Sequence, residues 1–155
     1  MKRWILIACV LFLAGCGGGN GTPTPVADFA GNWVGNWGSE VWNGSTTVQK
    51  SGIVNLSIDK TGAVKGSFTL TGQSTPVLTL TGQLTASTPT DTGTFTVTDT
   101  TTNPNTNYTA TGQFGLTDPT NIQASIQSTN SSGSVVDWID MGLNPQPASA
   151  AVKNR

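Results

Sequence analysis

Apolar and polar residues alternate along most of this chain. Val54, Leu56 and Ile58 are followed by Val64, Gly66, Phe68 and Leu70, and then by Leu78, Leu80, Gly82 and Leu84. The alternation resumes at Phe95 and Val97, at Tyr108, Ala110, Gly112, Phe114 and Leu116, and at Ile122, Ala124 and Ile126. A period of two with Thr on the opposite face marks a half-buried antiparallel strand. Thr suits the wet face because its β-branch favours the extended chain while its hydroxyl stays solvated. Turn residues separate the runs. Asp59-Lys60-Thr61-Gly62 fits a tight hairpin turn and Thr129-Asn130-Ser131-Ser132-Gly133 a longer one. Pro76, Pro89, Pro104 and Pro119 fall between or at the edges of runs, where a missing N–H costs no ladder bond. The pattern predicts strands over 31–42, 52–59, 63–71, 77–86, 93–101, 107–116, 121–128 and 134–142. This is an all-β fold, a single eight-stranded antiparallel up-and-down meander barrel.

A short repeat supports closure of the meander. Gly66-Ser67-Phe68, Gly82-Gln83-Leu84, Gly93-Thr94-Phe95 and Gly112-Gln113-Phe114 each place Gly two residues before an apolar residue on the same face. A Gly facing the core leaves room for a large neighbour and permits the sharp bend that small barrels need.

Composition narrows the function classes. The 155 residues are only 10% charged, with 7 Lys+Arg, 8 Asp+Glu and no His. Neutralising phosphates needs clustered Lys and Arg, so no nucleic-acid partner is expected. With no His, imidazole chemistry is absent, and no zinc set, phosphate loop, calcium loop or dinucleotide fingerprint is present. The sequence implies no cofactor, no metal and no catalytic residue, and the protein is not expected to be an enzyme.

The amino terminus departs from the strand pattern. Lys2 and Arg3 precede an apolar run from Trp4 to Ala14, and small residues follow, the layout of a secretory signal. The run is too short to span a bilayer core of about 30 Å as a helix. Its end, Leu13-Ala14-Gly15-Cys16, resembles the lipobox of bacterial lipoproteins. The resemblance implies cleavage before Cys16, acylation of Cys16 and a protein anchored to the bacterial cell envelope by acyl chains such as palmitate. Gly17 stands where Asp would direct inner-membrane retention, so the resemblance points to the outer membrane. Cleavage would remove Cys9 and acylation would occupy Cys16, leaving no thiol for a disulfide. The expected organisation is a signal over 1–15, the lipidated Cys and a flexible tether over 16–28, the barrel over 29–143 and a loose tail over 144–155.

The first strand holds the most informative residues. Phe29, Gly31, Trp33, Gly35 and Trp37 share one face, large alternating with small. Gly31-Asn32-Trp33, repeated as Gly35-Asn36-Trp37, resembles the Gly-x-Trp signature of lipocalin-like barrels, and Gly62-Ala63-Val64-Lys65-Gly66-Ser67-Phe68 resembles the second hairpin of avidin-type barrels. Both are eight-stranded calycin barrels, and the resemblance implies a small ligand held inside. Two departures stand against carrying over a ligand. No Arg occurs between Arg3 and Arg155 to pack over the first-strand Trp, and of the late-strand Trp residues that avidins use only Trp138 is present.

The aromatic residues are the remaining site candidates. Trp33, Trp37, Phe95, Tyr108, Phe114 and Trp138 either line a pocket at a barrel mouth or fill the core. Trp42 has the opposite parity to Trp33 and Trp37 and is expected to be exposed. In the last strand Val136, Trp138 and Asp140 share one face and Val135, Asp137, Ile139 and Met141 the other, without the sequence choosing between them. If the second face is inward, Asp137 is a carboxylate inside a barrel and its pKa should rise. The other acidic residues, Asp91 among them, are expected at strand ends or turns in solvated or capping roles. The expected function is a membrane-anchored lipoprotein whose lipocalin-like barrel binds a small apolar or amphipathic ligand. The alternative is a non-catalytic structural or protein-interaction lipoprotein that docks to an envelope protein.

Overall fold

The computed structural model describes residues 26–42, 45–86, 91–101, 104–118, 120–129 and 135–147. Cys16, the signal, Pro89, Pro119 and most of the Thr129 to Gly133 turn lie outside them. A 3₁₀ turn, Val26–Phe29, leads into eight strands: β1 (Gly31–Trp42), β2 (Thr47–Ile58), β3 (Ala63–Leu70), β4 (Pro76–Thr85), β5 (Asp91–Asp99), β6 (Thr106–Asp118), β7 (Asn121–Thr129) and β8 (Val135–Pro145). Each strand pairs antiparallel with the next, and β8 returns to β1 to close the barrel. Closure leaves no unpaired edge along the sheet.

Alternation decides which side chains point inward. Trp33 and Trp37 from β1, Val54, Leu56 and Ile58 from β2, and Ile139, Met141 and Leu143 from β8 are all buried. Phe68, Phe95 and Phe114 are fully buried, and Phe95 and Phe114 meet with ring centroids 5.5 Å apart. Eight strands enclose a space just wide enough for side chains to fill, and here they fill it.

The predicted glycine repeat has a visible use. Gly82 is paired with Phe95, and Gly93 with Gly112. A Cβ added at Gly82, Gly93 or Gly112 would in each case collide with the Phe95 ring. Three inward glycines on β4, β5 and β6 thus make the space that one phenyl ring occupies. Gly62 serves a different need, closing the Asp59 turn at φ +86°, where a side chain would be strained.

One end of the barrel is plugged. Phe29 belongs to the 3₁₀ turn and not, as its parity suggested, to the first strand; it is fully buried and its carbonyl accepts a hydrogen bond from Trp33 Nε1 at 2.8 Å. Val26 lies against the Gly62 turn on the same end. β1 starts there and β8 finishes there, joined at the base by Gln146 N donating to the Asn32 carbonyl at 2.8 Å. Asp91 also belongs to the interior, fully buried opposite Phe114, and not to the solvent where a strand-end position placed it.

Candidate functional site

The opposite end, the rim, is where the interior ceases to be apolar. Tracking β1 upward, the inward residues change from Trp33 and Trp37 to Ser39 and then Val41. On β8 they change from Leu143, Met141 and Ile139 to Asp137, which pairs with Val41 on one side and Ser128 on the other. A cavity of about 260 Å³ opens here, lined in part by Ser39, Trp42, Lys50, Leu78, Tyr108 and Asp137.

Asp137 and Tyr108 form the polar centre of that cavity. The Tyr108 hydroxyl donates to Asp137 Oδ2 at 2.7 Å. Asp137 is 9% exposed and Ser39 5%, and among the described residues neither Asp137 Oδ1 nor Ser39 Oγ has a hydrogen-bond partner. Burial pushes the Asp137 carboxyl above its ordinary range, opposed by the Tyr108 hydrogen bond, the Lys50 charge and the Trp138 backbone N–H, while Asp99 adds to the rise. Tyr108 is pushed up as well, first by burial and then by donating to Asp137. The phenol therefore stays protonated and remains the donor.

The structure divides the sequence-derived aromatic candidates into three groups. Trp33, Phe95 and Phe114 are core, and so is Trp37, which packs edge-on against Phe68 at 5.4 Å and donates from Nε1 to the Thr69 carbonyl at 3.0 Å. Tyr108 alone reaches the rim cavity. Trp138 does not belong with either group: it points out of the barrel, 42% exposed, because Asp137, Ile139 and Met141 take the inward face. Its Nε1 donates to Asp140 Oδ1 at 2.7 Å, and across the ladder Glu40 accepts from Gln49 Nε2 at 3.0 Å. Trp42 is exposed as expected, at 52%.

Sequence reasoning missed Ser39 and Lys50. Ser39 shares the parity of Trp33 and Trp37 and was there to be found. Lys50 lay outside the predicted second strand, which begins at Thr47 instead of 52. Among the described residues there is no cluster of three or more acidic residues able to hold a metal ion, and no helix long and apolar enough to cross a membrane.

No family model matches the chain, and no curated protein matches it in sequence. In fold it is similar to the vaccine antigen transferrin-binding protein B. A tryptophan-to-alanine mutant from Haemophilus parasuis superposes with a TM-score of 0.57 at 16% identity, over 81% of this chain and 29% of that one. Isotype 1 of that protein from serogroup B Neisseria meningitidis gives 0.54 at 18% identity, over 81% of this chain and 28% of the other. The chain thus spans between a quarter and a third of the length of these proteins, and the likeness is one of barrel architecture.

Proposed function

We propose that this protein is a lipid-anchored lipoprotein of the bacterial cell envelope, held at the outer membrane through acylated Cys16, and that its barrel is a non-catalytic scaffold presenting its rim to a protein partner. The observation that carries this reading is the filled interior. Small-molecule pockets run from roughly 300 to 1,000 Å³, whereas the rim cavity is about 260 Å³ and the barrel below it is packed with Phe68, Phe95 and Phe114. That filling speaks against an apolar ligand carried deep inside the barrel. Barrel architecture shared with a protein named for binding transferrin supports protein recognition as a use of such a scaffold.

Topology supports the choice of surface. β1 leaves the plugged end, so an anchor upstream of Val26 holds that end toward the membrane. The rim then faces away, raised by a barrel of roughly 25 Å for ten-residue strands tilted in the usual way and by a tether of roughly 20 Å. Exposed apolar side chains near this end, Trp42 and Val48, suit a partner surface.

A photocrosslinking residue placed at Val48 on the rim, or at Lys60 in the turn at the plugged end, tests the reading in the native cell. Val48 should capture a defined envelope protein, with Lys60 capturing little. Equal capture at both ends, or none at Val48, overturns it. Cys16→Ser should release the protein from the membrane fraction, and a variant still membrane-bound would remove the anchoring half of the proposal.

A further inference from the structure

Two polar atoms of the rim cavity lack a hydrogen-bond partner among the described residues. Asp137 Oδ1 and Ser39 Oγ line the same space, are almost wholly buried and lack partners among the described residues. A buried polar atom left unsatisfied is destabilising, and most such atoms in folded proteins are satisfied by something. Around them the wall joins the apolar and aromatic side chains of Val41, Leu78, Trp42 and Tyr108 to the polar ones of Lys50, Asp99, Ser128 and Thr129.

We propose that the rim cavity is a binding site for an organic ammonium group, which donates one N–H to Asp137 Oδ1 and another to Ser39 Oγ while its alkyl chain lies against Val41 and Leu78. The charge selects the guest. Asp137 and Asp99 repel an anion, and a neutral alcohol forgoes the charge-assisted hydrogen bond to the carboxylate. A metal ion would want more carboxylates than the cavity offers. The rings of Trp42 and Tyr108 add attraction for a cation, and the cavity has room for a short alkylammonium or for a lysine side chain. Lys50 carries the same charge as the guest on the same wall and competes with it for Asp137.

The site concerns an ammonium from either of two sources, a free amine or a lysine presented by the partner, and it does not require the crosslinked partner to exist. Binding requires Asp137 ionised, so affinity falls as the pH drops toward the raised value of this carboxyl. Asp99, Lys50 and Tyr108 are the other charged or titratable groups that act on it. A bound cation in turn lowers the Asp137 value and releases protons near it.

Titration of the full acylated protein in nanodiscs with n-butylammonium, n-butanol and butyrate, read by calorimetry, tests the site. Saturable binding of butylammonium alone is expected. Asp137→Asn should weaken it by about tenfold or more and Ser39→Ala by a few fold, on the scale of one charge-assisted and one neutral hydrogen bond. Lys50→Gln should tighten it. Near-ultraviolet circular dichroism of each variant separates lost binding from lost folding. N-acetyl-lysine amide binding as well as butylammonium would assign the guest to a protein side chain, and butylammonium alone to a free amine. No saturable binding up to about 100 mM, well beyond the millimolar scale of a weak site, overturns the proposal, as does equal binding of butanol. Neither result would bear on whether a partner crosslinks at the rim.

Discussion

At the scale of single residues, Asp137 is a carboxylate that the fold turns against its own ionisation. Because burial raises its carboxyl, the native state holds the proton more tightly than the unfolded chain does. Between the ordinary value of 3.8 and the raised native one, stability falls as pH rises, and it is regained as pH is lowered. Asp59 and Asp118 act in the other direction. Hydrogen bonds from Thr61 and Thr120 hold their carboxyls below 3.8, so their stabilisation is complete above that value and is lost as pH falls through their native ones. Urea unfolding across pH should show both limbs, and Asp137→Asn should flatten the upper one while leaving the lower. At neutral pH this variant should be the more stable, whereas Tyr108→Phe, which strips Asp137 Oδ2 of its donor, should cost about 1–3 kcal/mol. The inward face of Asp137 was within reach of the sequence. Stopping the strand at 142 leaves apolar residues on both faces. Adding Leu143 makes a run of Ile139, Met141 and Leu143 against Trp138, Asp140, Gly142 and Asn144, and that run decides it.

At the scale of elements, β4, β5 and β6 are fitted to one another through Phe95. Gly112 is the most direct test, since a Cβ there would meet Phe95 Cε2 at 2.9 Å and Ile126 Cγ1 at 3.1 Å, side chains before backbone. Gly112→Ala should destabilise by about 1–3 kcal/mol through overpacking. In a Phe95→Leu background the same change should cost less, because neighbouring sites are not additive. Equal costs in both backgrounds by urea unfolding would mean the backbone, not the ring, sets the limit. The strands themselves were legible wherever they cover the core. They were read short where they outrun it: β2 begins with Thr47, Val48, Gln49, Lys50 and Ser51, which pair with β1 beyond the apolar core. Hydrogen-bonded pairing with a twelve-residue neighbour extends this segment, and pairing leaves no apolar trace in the sequence.

At the scale of the whole molecule, the barrel sorts its tryptophans by radius. Cleavage before Cys16 would remove Trp4, leaving Trp33 and Trp37 buried and Trp42 and Trp138 exposed. Iodide should therefore quench about half of the emission of the processed protein, with the remainder protected until unfolding; a uniformly quenched population would contradict the packing. The closed meander itself was readable from eight alternating runs and their turns. The filling of the interior was not, because alternation shows which residues face inward and not whether their volumes add up to the space enclosed.

The shared base of β1 and β8 has a mechanical meaning. With the anchor at the plugged end and a partner held at the rim, tension would run along the barrel axis, with a large component along each tilted strand. β1 would carry it between two ladders, β2 on one side and β8 on the other. Force along a strand loads every rung of both ladders together, whereas force across an open edge breaks rungs one by one. Survival under such a load depends on the rate of unfolding more than on equilibrium stability. On this reading, a closed barrel rooted at one end and gripped at the other serves as a coupling between a membrane and whatever is bound above it.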